Sequence, residues 1–206
     1  MNTISMLEIL SKMSDKMEEE KDFLTELDNA IADGDHGINM AKGFSVVASK
    51  IDQLKEQNLG SALKTVGMTL VSAVGGSAGP LYGTAFMKAG MALADKTTMD
   101  INDFLVCLKA AVDGIMMRGR AVKGEKTMLD AMIPALETME KANEKGLSAK
   151  EVLNEGVKAA FDGVEYTKTI AATKGRASYI GQRSIGHQDP GATSFAFLLD
   201  VVAKAL

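Results

Sequence analysis

Apolar residues return every three or four positions along nearly the whole chain, and no convincing run alternates apolar with polar as a half-buried strand would. Punctuated by Gly, Pro and capping residues, the pattern predicts eight helices. They are Thr3 to Ala30, Gly37 to Asp52, Ser61 to Ala73, Pro80 to Ala94, Ile101 to Met117, Thr127 to Ala142, Ser148 to Ala171, and Pro190 to Leu206. Some starts carry physical signals: Ser148 with Glu151 reads as a capping box, Asp189-Pro190 as an N-cap with a first-turn proline, and Pro80 as a second first-turn proline. Short connections make consecutive helices antiparallel. The expected fold is therefore all-α, a single-domain up-and-down antiparallel barrel of eight helices over residues 1–206.

In such a topology alternate loops emerge at the same end. The loops after the second, fourth and sixth helices (QNLGS, DKTTMD, NEKGLS) are plain polar turns. Those after the first, third, fifth and seventh read ADGDHG, GGSAG, RGRAVKGEKT and TKGRASYIGQRSIGHQDPG. Every unusual loop falls at one end, which places a ligand site there.

Composition narrows the classes. Apolar residues make up 46% and charged residues 24%, so the chain has ample material for a core; aromatics are only 5%, without Trp, which suits packed helices better than sheets. A net charge of -4 with scattered Lys and Arg argues against nucleic acid as a partner. Cys107 stands alone in an apolar stretch and reads as a buried, inert thiol, excluding an intrachain disulfide or a Cys-based zinc site. The N-terminus mixes charges into its apolar positions and reads as neither signal peptide nor membrane span, so no membrane association and a cytoplasmic location are expected.

The candidate chemistry begins at Asp28, Asp33 and Asp35. Two carboxylates ~4 Å apart repel by about 4 kcal/mol at an effective dielectric of ~20, so converging aspartates demand a proton or a cation. Oxygen-only ligands, few in number, favour Mg²⁺. An EF-hand is excluded, because the twelfth position counted from Asp28 or Asp33 is Asn39 or Phe44 rather than Glu. Taken alone, the segment is equally a solvated Asp-Gly turn. Gly37 then opens a helix whose amides suit phosphate, with His36 and Asn39 as neutral donors, and GGSAGP repeats the construction with Ser77. No P-loop or Rossmann fingerprint occurs. Thr127 fits an N-cap paired with Asp130, leaving Met128 and Leu129 to line a nucleobase or to fill the core. The long last loop carries Arg176, able to stabilise transferring phosphate charge, His187, a loop brace or a ligand, and Asp189, a helix cap or a ribose partner.

The stretches LDNAIADGDHGINMAKGF, GGSAGPLYGTAF, GEKTMLDA and KGRASYIGQRSIGHQDPGATS together resemble the nucleotide-binding L subunit of dihydroxyacetone kinase over essentially the whole chain. The resemblance implies an eight-helix barrel holding ADP or ATP with two Mg²⁺ ions at one end, the metal-binding aspartates falling on Asp28, Asp33 and Asp35. It assigns nucleotide contacts to His36, Asn39, Ser77, Ala78, Gly119, Met128, Arg176, Asp189, Pro190 and Gly191; Arg176, from its place in the last loop, is also the expected catalytic side chain. It also implies a K subunit that holds dihydroxyacetone on a histidine. As a free-standing L subunit the chain further resembles the phosphotransferase-system version, in which bound ADP is rephosphorylated by a phosphohistidine M subunit. Three alternatives stand beside it: the nucleotide domain of an ATP-dependent dihydroxyacetone or fatty-acid kinase, an aspartate-metal phosphohydrolase, and a nucleotide-binding regulator without chemistry. The fatty-acid kinase domain would carry Thr in place of His36 and a long C-terminal extension.

Overall fold

A computed structural model describes residues 1–206. It is all-helical: α1 Thr3–Glu19, α2 Lys21–Ile31, α3 His36–Ala48, α4 Ile51–Leu54, α5 Leu59–Ala73, α6 Ala78–Leu93, α7 Ile101–Gly119, α8 Leu129–Glu144, α9 Ala149–Thr167 and α10 Pro190–Lys204, with 3-10 turns at Arg176–Tyr179 and Gly181–Ser184. The one bridge of strand type is isolated, between Asn2 and Thr98. No helix is long and apolar enough to cross a membrane.

Ten helices stand where the periodicity predicts eight, because two segments are each cut in two. The first breaks at Glu20, whose amide still bonds to Lys16 while its ψ rotates to 6°. Nothing but charged residues marks the place. The second breaks after Ala48, where the Ser49 hydroxyl donates to the Val46 carbonyl at 2.8 Å and competes with the helical ladder. Most other ends fall within two residues of the prediction, and two of the shifts have a visible cause. α9 stops at Thr167, short of Ala171, because the Lys126 ammonium takes the Thr167 and Ile170 carbonyls. α8 starts at Leu129, since Thr127 forms only part of a cap: its amide donates to Asp130 at 2.8 Å, and its hydroxyl accepts from Leu129. The capping box at Ser148 and Glu151 and the cap at Asp189 form as the residues suggest.

α5 and α6 pack antiparallel. Along α5 and α6, Gly60 faces Gly90 and Gly67 faces Gly83; a Cβ built at Gly67 would lie 2.6 Å from the Gly83 carbonyl oxygen. Glycine lets these two backbones touch. α8 lies on α9 in the same sense, with Met139 against Gly156 and Asp130 against Gly163. The chain closes on itself where α10 packs against α1 and α2 as well as α8 and α9. Phe197 of α10 sits 6.3 Å from the ring of Phe23 and 6.1 Å from that of Phe161, with the Lys16 ammonium 5.2 Å above it. The result is a closed helical barrel. Its interior is dominated by Leu, Met, Ala and Val, and includes an apolar recess of about 160 Å³ lined only by hydrophobic side chains. Cys107 is buried and donates weakly to the Ala89 carbonyl; burial pushes its thiol up to about 11, which keeps it inert.

Candidate functional site

The four unusual loops meet. Together they line one cleft of about 440 Å³ at one end of the barrel, whereas none of the three plain loops reaches it.

The first loop turns sharply at Gly34, whose φ of +71° suits glycine and where a Cβ would strike the Asn29 side chain. The turn folds Asp33 and Asp35 back towards Asp28, on the last turn of α2. One ligand oxygen from each of the three lies within 4.8 Å of those of the other two. Asp28 is buried, and its Oδ2 accepts the amides of Asp35 at 2.9 Å and His36 at 3.1 Å. That leaves its other oxygen available. Asp33 pairs with Arg176 at 2.7 Å, bringing the last loop over the same corner. One guanidinium against three carboxylates leaves the corner negative, so an oxygen-seeking divalent cation fits this donor set.

The second loop faces the first: a Cβ at Gly76 would lie 3.8 Å from Oδ1 of Asp35. Ser77 caps α6 without any side-chain hydrogen bond, and Pro80 has no amide, so the exposed amides at this helix start are available to an anion. His36 opens α3. Its Nε2 lies 2.9 Å from Ser194 Oγ, and burial pushes its ring down to about 4, so it stands neutral against the aspartates. Asp189 is buried at the start of α10, where its Oδ2 accepts the Ala192 amide at 2.7 Å; burial raises its carboxyl to about 7.

Of the residues singled out in the sequence, Asp28, Asp33, Asp35, His36, Ser77, Ala78, Gly119, Met128, Arg176, Asp189, Pro190 and Gly191 line the cleft. Asn39 does not; its side chain stands behind Gly75. His187 is exposed, and its contribution to the loop is its carbonyl, which accepts from Lys126. Lys126 is the residue that sequence reading missed. It reads as a surface lysine, yet it is buried at φ +59° with its ammonium donating to the carbonyls of Thr167, Ile170 and His187. Desolvation lowers its pKa. Asp130, fully buried, completes this wall by accepting the amides of Gly124 and Thr127.

Residues 30–204 match the DAK2 domain. The chain belongs to the DAK2 domain family. It is 41% identical to the ADP-binding subunit DhaL of PEP-dependent dihydroxyacetone kinase from Escherichia coli (strain K12), over 95% of this chain and 93% of that one. It is 42% identical to the corresponding ADP-binding subunit of PEP-dependent dihydroxyacetone kinase 1 from Listeria innocua serovar 6a, over 95% of this chain and 92% of that one. The DAK2 fold recurs in the crystal structure of the dihydroxyacetone kinase of C. freundii, at a TM-score of 0.77 and 23% identity. All of this chain is covered, but only 35% of that one. The form of that kinase in complex with AMP-PNP and Mg²⁺ aligns at a TM-score of 0.74 over 97% of this chain and 33% of that one, also at 23% identity.

Proposed function

We propose that residues 1–206 form a single nucleotide-binding domain that serves as the ADP-binding subunit of a dihydroxyacetone kinase in the cytoplasm. The observation that carries the reading is the convergence of three aspartates and the open start of α6 on one cleft. The near full-length likeness to ADP-binding subunits supports it.

Asp28, Asp33 and Asp35 would hold Mg²⁺, two ions in the full complement, and the metal would neutralise the nucleotide phosphates. Asp28 is preset for this by the two backbone amides on its other oxygen. The amides opening α6, with Ser77 and Ala78, would meet the phosphate oxygens. Asn39 stands behind Gly75, close to the second loop. Met128 and Gly119 form the nucleobase wall, and Asp189, Pro190 and Gly191 lie at the ribose. Arg176, which reaches the same corner through its pair with Asp33, would stabilise charge on the transferring phosphoryl group. Such transfer asks for positioning and charge stabilisation, so no base is required here. The γ-phosphoryl group passes to dihydroxyacetone held on a K subunit, and the resulting ADP is rephosphorylated in place by a phosphohistidine M subunit.

Reconstitution tests this. The chain is mixed with a dihydroxyacetone-binding subunit and supplied with either ATP or a phosphohistidine protein, and dihydroxyacetone phosphate is measured. Turnover is expected with both partners present and the phosphohistidine donor, and none with the chain by itself. Release of phosphate from simple esters by the isolated chain would indicate a hydrolase instead. Native mass spectrometry is expected to find ADP and Mg²⁺ on the purified protein.

A further inference from the structure

The lysine and arginine side chains that line the cleft are Arg118, Lys126, Lys174 and Arg176, and of these Lys126 alone is buried. Its ammonium donates to the Thr167 carbonyl at 2.6 Å, to the Ile170 carbonyl at 3.4 Å and to the His187 carbonyl. An ammonium has three protons, and here three carbonyl oxygens take them. No donor is left for a phosphate oxygen.

Those carbonyls bracket a single segment. Thr167 ends α9 and Ile170 follows closely, while His187 stands two residues before the Asp189 cap of α10. The ammonium thus ties both ends of the long last loop together, and at Thr167 it meets the negative end of the α9 dipole. Hydrogen bonds carry the path on into the cleft: the Thr167 hydroxyl accepts the Asp189 amide at 2.9 Å, and Asp189 Oδ2 accepts the Ala192 amide. Next to Lys126, the Glu125 carbonyl accepts the Thr173 amide at 3.2 Å, which holds the limb leading to Arg176. The anchor is itself fixed, because buried Asp130 accepts the amides of Gly124 and Thr127 on either side of it. Lys126 also adopts φ +59°, a backbone conformation costly for any side chain, so the position is maintained by what this side chain binds.

We propose that Lys126 is a positioning residue: its ammonium clasps the two ends of the last loop onto the third loop, holding Arg176 and the Asp189 cap at the cleft, and makes no contact with the nucleotide. The inference rests on the nucleotide reading above for the ligand, whereas the clasp belongs to the chain alone. A lysine in a phosphate-binding cleft ordinarily serves as a point charge for the phosphates. Here its protons face the wall.

Lys126→Met tests this, since methionine is unbranched, of similar length and without donors. Hydrogen exchange on nucleotide-free protein, read by mass spectrometry, is expected to run about tenfold faster over residues 168–189 than in wild type, with α5 and α6 unchanged. ADP-Mg²⁺ affinity, read by calorimetry, is expected to fall on the order of tenfold. A double-mutant cycle with Arg176→Ala separates positioning from direct contact: action through the loop makes the combined loss smaller than the product of the two single losses. Nitrogen-15 NMR of lysine-labelled wild-type protein adds a readout that needs no variant. The buried ammonium is expected to remain the slowly exchanging signal and to show no scalar coupling to phosphorus-31 once ADP and Mg²⁺ are added. Such a coupling, unchanged loop exchange in Lys126→Met, or losses that multiply in the cycle would each overturn the proposal. The phosphorus measurement decides even if Lys126→Met fails to fold. Wild-type protein that binds no ADP would count against the nucleotide reading alone, because the exchange comparison is made without nucleotide.

Discussion

Two titratable groups at the cleft pull stability in opposite directions. Burial holds Asp189 near 7, so the folded chain keeps its proton where the unfolded chain has lost it; in the unliganded protein this contribution is full below about 4 and fades as pH rises through 7. Burial holds His36 near 4, so the unfolded chain gains a proton first, and stability is lost as pH falls from about 6.5 to 4. Melting temperatures measured between pH 7 and 4 should therefore separate two variants. Asp189→Asn, which keeps an acceptor for the Ala192 amide, should lose more on acidification than wild type, and His36→Gln should lose less. Superimposable pH profiles for all three proteins would contradict these burial effects. Asp33 acts on binding rather than folding. Asp33→Ala should leave the helical circular dichroism intact and cost ADP-Mg²⁺ affinity on the order of 100-fold, about 2.7 kcal/mol, as read by calorimetry. The three aspartates could be found in the sequence because a D-x-x-x-x-D-x-D cluster has few bland explanations beside glycine-opened helices. Lys126 and Ser194 could not. A lone lysine in a polar loop and a serine in an apolar helix acquire meaning only when α9 and α3 come round to meet them.

At the scale of helices, the 3.6-residue rhythm and its punctuation disclosed nearly every element. What escaped were breaks made without a breaker. Glu20 interrupts a run of charged residues with no Gly or Pro, and Ser49 interrupts α3 through its own hydroxyl. The early end of α9 was hidden for another reason: the carbonyls of Thr167 and Ile170 are claimed from a distant loop. The α5–α6 seam yields a prediction of its own. A methyl group at Gly67 would press on the Gly83 carbonyl and on Met87, and those neighbours are backbone as well as side chain. Gly67→Ala should therefore destabilise by ~1–3 kcal/mol, lowering the melting temperature by roughly 5 °C. Because α6 also opens the second cleft loop, ADP binding should weaken with it. A more stable Gly67→Ala protein would mean that the two helices slide apart freely.

The whole molecule depends on closure, since the first and last loops share the cleft only if α10 returns to α1 and α2. Phe197 is the joint, meeting Phe23, Phe161 and Lys16 at once. Phe197→Ala should cost about 2–3 kcal/mol, somewhat under the range for a fully buried ring. Denaturant titration would show it, and an unchanged midpoint would argue that the ring stays shut without it. The barrel's ends could be told apart from loop chemistry before any coordinates, because antiparallel order forces alternate loops together; its seam could not, because no local pattern says which helices meet last. One consequence concerns the mouth of the cleft. The amine of Lys126 is enclosed by carbonyls of the loop opposite, so an acylating reagent can reach it only while the two loops stand apart. The pace at which that single position is labelled, read by peptide mass mapping, becomes a clock for how often the mouth breathes, and it should slow as ADP fills the space.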